Sequence, residues 1–414
     1  MIYDFIIIGS GISGLNLAYQ LIKNNNKNKI LILEKNNYLG GRILTSNKKI
    51  NGINYKYEKG AGRFNEKHIL LKKLLIELNL KKYIIEIGSN IEFYPSTKYN
   101  NKYIHESPFK YIKIVIEKSK LDSKETLQKY TFIDYTKKYL NNDDIKFILD
   151  SFGYYAQLVK MNAYDAIKLF NEGMNPELKF YALKCGMSKI IENLNNKIKN
   201  KCDILLNEDV QEINFNDKIF TIKTDNKEFK SINCIAAIPK PDLLKLNFLN
   251  KYKSYLNSVY VKTLCRIYSV FLKKDIWFND IGKTTTNNDS RYIIPINKEN
   301  GLIMISYSDS KYADKWNKLN KNEMNTKLKN NIFKTFNKKI SDPIFTEKCY
   351  WTVGTGFWKK NKDSEYLSEK ILQLNKNIPF YICGENYSNT QCWIEGALES
   401  SNKILEKIIK NEKK

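Results

Sequence analysis

Tyr3-Asp-Phe-Ile-Ile-Ile8-Gly9-Ser10-Gly11-Ile12-Ser13-Gly14-Leu15, close to the start of the 414-residue chain, decides its reading. Residues 3–8 have the length and β-branched content of a strand buried on both faces. After the glycines, apolar residues fall at Leu15, Ala18, Leu21 and Ile22, the spacing of a helix. A polar turn at 24–28 leads to a second strand, 29–33, ending at Glu34. In such a strand–turn–helix–strand unit the glycines permit a tight turn, close approach of backbone to a pyrophosphate, and close helix–strand packing. The helix N-terminus supplies N–H donors and positive potential to phosphates. Glu34, twenty residues after Gly14, stands where an acid grips ribose hydroxyls. The unit predicts a dinucleotide site.

The continuation Glu34-Lys35-Asn-Asn-Tyr-Leu-Gly40-Gly41-Arg42 adds two glycines that let backbone N–H groups meet a diphosphate, and an arginine to neutralise it. That arginine is informative. The formal charge is +25, but 65 of the 69 basic residues are lysines; arginine occurs only at 42, 63, 266 and 291. Arginine gives a planar bidentate donor that lysine cannot copy. The lysines are diffuse and travel with an excess of Asn, Ile and Tyr, so the charge reads as compositional, with a nucleic-acid or anionic-surface partner as the weaker alternative. Seven scattered cysteines without a C-x-x-C pair argue against a disulfide framework or zinc ribbon and for a reducing compartment. Two histidines, His68 and His105, argue against a multi-histidine metal site, and no metal is expected. No apolar run approaches the ~20 residues of a spanning helix, and the expected location is cytoplasmic.

Farther along, 65–80 reads as an amphipathic helix carrying His68 in a structural role. Residues 106–180 read as mainly helical, and Gly186 opens another helix. Short strands return at 204–206, 209–213, 219–224 and 234–238. Strand-like runs at 264–272 and 302–307 are followed by a helix near 321–336. A last buried strand spans 380–383, and a helix runs from Trp393 onward.

Two blocks in order, the N-terminal one above and Phe380-Tyr-Ile-Cys-Gly384-Glu385 with Trp393-Ile394-Glu-Gly-Ala397, resemble the flavin-containing amine oxidase superfamily: monoamine, polyamine and L-amino-acid oxidases and tryptophan monooxygenases. The resemblance implies an α/β fold, a doubly wound FAD-binding domain with an inserted α+β substrate-binding domain. The FAD parts are expected at 1–90, 183–245 and 345–414, with inserts at 91–182 and 246–344. It implies FAD held by Gly9 to Gly14, Glu34, Lys35, Gly40 to Arg42 and 60–63, by the Val210 backbone at adenine, and by Gly384, Glu385, Trp393, Ile394 and Ala397 at the ribityl and flavin end. Ala236-Ala-Ile-Pro239 resembles the crossing beside the cofactor. Cys349 is not placed for a covalent flavin link, so the FAD is expected to be non-covalent.

Within Gly60-Ala61-Gly62-Arg63, the arginine matches the carboxylate clamp of L-amino-acid oxidases, although Asn65 stands near the family's usual proline; bracing the flavin is the other reading of Arg63. Trp393 would form one wall of an aromatic cage, with Phe357 or Trp358 opposite. The family's lysine near flavin N5 corresponds to Lys262 or Arg266; counting back from Trp277 favours Arg266, and a structural pairing with an acid is the alternative. The implied reaction is oxidative deamination of an amino acid or amine by hydride transfer to flavin N5, dioxygen giving hydrogen peroxide. A polyamine or monoamine oxidase, and a basic FAD-binding nucleic-acid-associated or structural protein, are the alternatives.

Overall fold

The computed structural model describes residues 1–225 and 227–412. The elements that position the site are β1 (Ile2–Ile8), α1 (Ile12–Asn24), β2 (Ile30–Glu34), β3 (Cys202–Leu206), β4 (Val210–Asn216), β5 (Ile219–Thr224), β6 (Glu228–Ala236), β7 (Val259–Val270), β8 (Leu302–Asp309), β9 (Phe345–Trp358), β10 (Phe380–Ile382) and α2 (Ile394–Glu412). Strands β10, β6, β1, β2 and β3 lie side by side and parallel. The antiparallel hairpin β4–β5 joins the first half of β6, and β10 joins its second half.

Side-chain alternation explains why the central strands are apolar throughout. Phe5, Ile7, Ile30 and Ile32 enter a core shared with α1 and α2, whereas Ile6, Ile8, Leu31 and Leu33 enter a second core on the other face. Each such buried aliphatic side chain contributes about 1.5–3 kcal/mol. Helix α1 buries Leu15, Ala18 and Leu21, and its Asn16 amide donates to Ser401 Oγ (2.9 Å) and Asn402 Oδ1 (3.0 Å) of α2.

A second sheet runs β9–β7–β8 antiparallel, then Tyr292–Asn297, Thr284–Thr285 and Glu92–Phe93. The segment 345–358, expected with the nucleotide part, pairs along its length with β7 and belongs to this sheet. The stretch 106–180 is helical, as expected, but cut into six short helices. Ser123, Thr131, Asn141 and Asn162 each cap a new start with a side-chain oxygen. Helix Lys321–Phe336 begins on an Asn320/Glu323 capping box. The hairpin Thr45–Ile50/Ile53–Glu58 turns on Asn51-Gly52, both at positive φ; the sequence reading passed over that turn signal.

Candidate active site between the two sheets

A cavity of about 1310 Å³ runs from Lys35, Val210 and Asp242, past the glycine loops, to Arg63, Tyr154 and Trp393. Three glycines of the first loop serve three different purposes. Gly9, at φ +102°, lies where a Cβ would be 2.7 Å from the Ala237 carbonyl oxygen. A Cβ on Gly14 would lie 2.1 Å from the Gly9 carbonyl oxygen, so helix and strand could not close. A Cβ on Gly11 would meet nothing within 4 Å, because that side opens into the cavity. Gly11 caps α1 without a side-chain hydrogen bond, which leaves the helix N-terminus to the cavity. Gly384, at φ +133°, also faces open space.

The acids of this end are held fully engaged. Glu34 takes Ser10 N (2.9 Å) and Ser10 Oγ (2.7 Å) on one oxygen, and Asn36 N (2.9 Å) and Nδ2 (2.7 Å) on the other. Ser10 and Gly14 therefore shape the loop from behind, whereas the other expected cofactor residues line the cavity. Lys35 pairs with Asp242 at 2.8 Å. Gly40 N donates to Ser10 O (2.9 Å), docking the second glycine loop on the first. Arg42 donates to Gly354 O (2.7 Å) and Glu385 Oε2 (2.9 Å). Glu385, buried, also accepts from Asn386 Nδ2 (2.7 Å), Gly356 N (3.0 Å) and Cys392 N (2.8 Å). One carboxylate thus ties the second glycine loop, β9 and the approach to α2.

The segment 60–63 lies against Arg42: Ala61 N donates to Arg42 O (2.9 Å), and a Cβ on Gly60 would lie 1.9 Å from that oxygen. At its end, the Arg63 guanidinium lies 4.8 Å from the Phe180 ring, 5.8 Å from the Trp393 ring and 3.5 Å from the Tyr154 hydroxyl. None of the ion pairs among the described residues includes Arg63. Arg266 sits beside Gly62. Its Nη1 donates to Glu58 O (2.8 Å), its guanidinium stacks 4.5 Å from the Tyr307 ring, and its Nε is buried without a partner. It too has no acid partner at ion-pair distance, so the expectation of a structural Arg266–acid pair is not met. The Glu58 carboxylate is taken by Thr45 Oγ1 (2.8 Å) and Met187 N (2.9 Å) instead.

Trp393 lines the cavity with its ring edge-on to His68 at 4.7 Å. Burial, then the charges of Arg63 and Lys72, lower the His68 imidazole to about 3, so it is neutral and structural. Three expected residues stand elsewhere. Trp358 is buried behind the wall, donating Nε1 to Ser388 O (3.0 Å), with Phe357 also in the core. As neighbours in a strand they point to opposite faces and enter two different cores, and the wall is made by 351–355. Lys262 lies off the cavity beside Tyr260. Cys349 is off the cavity as well. The residues that sequence reading missed are Tyr154, Tyr307, Gln157 and Lys283, all on the wall. No group of three or more His, Cys, Asp or Glu able to hold a metal exists among the described residues.

A family model described as flavin containing amine oxidoreductase matches residues 12–403. The chain belongs to that family. An L-amino-acid oxidase of Crotalus adamanteus is 26% identical over 336 residues, 70% of this chain and 62% of its own length, so the chain spans under two thirds of that relative. A probable flavin-containing monoamine oxidase A of Dictyostelium discoideum is 23% identical over 98% of this chain and 97% of its own. A putrescine oxidase mutant shares the fold at TM-score 0.80 with 14% identity, covering 99% of both chains. The family's cofactor is FAD, and the residues present fit it. The cavity exceeds the ~300–1,000 Å³ of a drug-sized pocket. Its glycines leave open the space a diphosphate needs, beside an uncapped helix N-terminus. No described helix is long and apolar enough to cross a membrane. The fold and relatives give no support to a nucleic-acid partner for the +25 charge.

Proposed function

We propose that the chain is an FAD-dependent oxidase of an amino acid, with Arg63 as the carboxylate anchor. The observation that carries this is a guanidinium in the cavity, between two aromatic faces, with no acid of its own. A half-buried cation on a cavity wall without an acid against it calls for an anion. The buried acids near it are spent: Asp309 accepts from Tyr155 N (2.8 Å) and Ala156 N (2.7 Å), and Glu58 is held as above. A cationic amine or polyamine would find no free carboxylate there, which counts against the polyamine reading that the fold neighbour suggests.

The chemistry supplied by bound FAD is two-electron oxidation of the carbon bearing the amine, with dioxygen as the final acceptor. The chain's residues orient and shield. Arg63 fixes the carboxylate bidentately, Trp393 and Tyr154 confine the substrate, and the Arg266 charge is held beside Gly62. The cofactor is held non-covalently: burial holds the wall thiols protonated, Cys383 pushed up to about 12 and Cys392 well above the ordinary range.

The test is anaerobic flavin bleaching by amino acids and by the matching decarboxylated amines. The wild type prefers the acids, and Arg63→Lys loses about 100-fold in kcat/KM for them, roughly 2–4 kcal/mol, while retaining FAD. Bleaching by amines alone would overturn the carboxylate reading in favour of a monoamine or polyamine oxidase. Loss of FAD from the variant would assign Arg63 to the cofactor.

A further inference from the structure

Lys283 is a further cation on the same wall, beyond Arg63 and Arg266, and nothing already described employs it. It precedes the short strand Thr284–Thr285, which Glu92–Phe93 and Tyr292–Asn297 clamp on both sides. Glu92 N also donates to the Lys283 carbonyl (3.1 Å), so the backbone beneath the side chain is fixed. The ammonium lies 5.9 Å from the Tyr292 ring centroid. The Tyr292 ring lies 4.9 Å from Tyr154, whose hydroxyl is the group beside Arg63. One pair of tyrosines, their rings tilted 50° to each other, thus links the surroundings of the two cations. No ion pair among the described residues includes Lys283. Burial, then the Arg63 charge, hold Lys283 well below its ordinary range. Nearby on the wall, Gln157 Oε1 is buried without a donor.

We propose that Lys283 is the anchor for a second acidic group, so that the preferred substrate is a dicarboxylic amino acid with its α-carboxylate on Arg63 and its side-chain acid on Lys283. This rests on the reading of Arg63 given above and narrows it. Both side chains are half-buried, and the Arg63 charge disfavours the charged form of Lys283. A ligand with one negative charge would satisfy Arg63 and leave Lys283 unmatched. A ligand with a positive side chain would add a further cation. A dianionic ligand offers each a carboxylate, and a carboxylate beside Lys283 favours its charged form. Tyr154, on the cavity wall, offers an apolar face to the methylenes joining the two acids.

The experiment uses the holoprotein. Perturbation of the flavin absorbance is titrated with glutarate and with butyrate, and anaerobic flavin reduction is then followed with glutamate, glutamine and norvaline. Glutarate is expected to bind about tenfold or more tighter than butyrate, and glutamate to exceed glutamine about tenfold or more in kcat/KM. Lys283→Met and Lys283→Gln bring both ratios to about one, with FAD content retained. Ratios that persist in both variants, or a wild type that prefers the neutral partner while still oxidising amino acids, overturn this inference and leave the Arg63 reading standing. Reduction by amines alone overturns both. Loss of FAD from both variants would assign Lys283 to the cofactor and also overturn the inference.

Discussion

The two ends of the cavity are finished to different degrees. At the nucleotide end Glu34 and Glu385 each carry four donors, Arg42 is paired, and the two glycine loops are bonded to each other. At the other end Arg63, Arg266 and Lys283 form no ion pair among the described residues, and Arg266 Nε, Gln157 Oε1 and Trp393 Nε1 are buried without partners among them. Buried polar groups are normally satisfied, and each exception costs about 1–3 kcal/mol. One end is a frame that exists before any ligand arrives; the other is left incomplete, and its missing charges describe what completes it. Most of that description is anionic.

The contrast can be broken most sharply at Glu385. Glu385→Ala strips Arg42 of its carboxylate and orphans the Gly356 and Cys392 N–H groups. It should cost about 4 kcal/mol and most of the bound FAD, read by chemical unfolding and by flavin content. Retention of both would mean that the nucleotide end is not a frame at all. The glycines separate frame from ligand space. Gly14→Ala places a carbon against the Gly9 carbonyl and should cost about 3 kcal/mol in the apoprotein. Gly11→Ala should cost the apoprotein only about 1 kcal/mol or less, yet weaken FAD binding, because its methyl enters the cavity. Equal effects on apoprotein stability would deny that distinction.

A further effect concerns pH at the unfinished end. His68 sits in the fold at about 3 against an ordinary 6.5, so the unfolded chain takes the proton first. Stability from this residue is present above about 6.5 and is lost as pH falls toward 3, about 2 kcal/mol of it by pH 5. His68→Phe should therefore lose about 2 kcal/mol less than wild type between pH 7 and pH 5 in urea unfolding. An identical pH dependence would place a charged His68 in the fold.

How legible all this was depended on whether a residue's role is local. The strand–glycine–helix unit and Gly40-Gly41-Arg42 were readable because backbone geometry there forces residue type. The helix at 321–336 was readable for the same reason, through its apolar spacing. The motif Ile394-Glu-Gly-Ala397 was readable as a pattern but not in its physics. Glu395 caps the distant helix Ile69–Glu77 by accepting from Leu70 N (2.7 Å) and Leu71 N (2.9 Å), and a Cβ on Gly396 would lie 2.1 Å from Ser388 Oγ. Strand β9 was missed because its partner, β7, lies far back in sequence and strand pairing leaves no local mark. Counting aromatic residues could not separate Trp358, turned into the core, from the wall at 351–355. Lys283 had no signal to offer, being one lysine among 65; its place on the cavity wall, near the Tyr292 ring, sets it apart.

The Arg42–Glu385 tie has a temporal side. Its partners stand 343 positions apart, and β10 can join β6 only after some 380 residues have been made. During synthesis the carboxylate that locks the second glycine loop follows that loop by 343 residues. A nascent chain would therefore carry an open half-site until Glu385 has been made. Termination just before Glu385 would yield a product with most of these strands and no lock on the second loop.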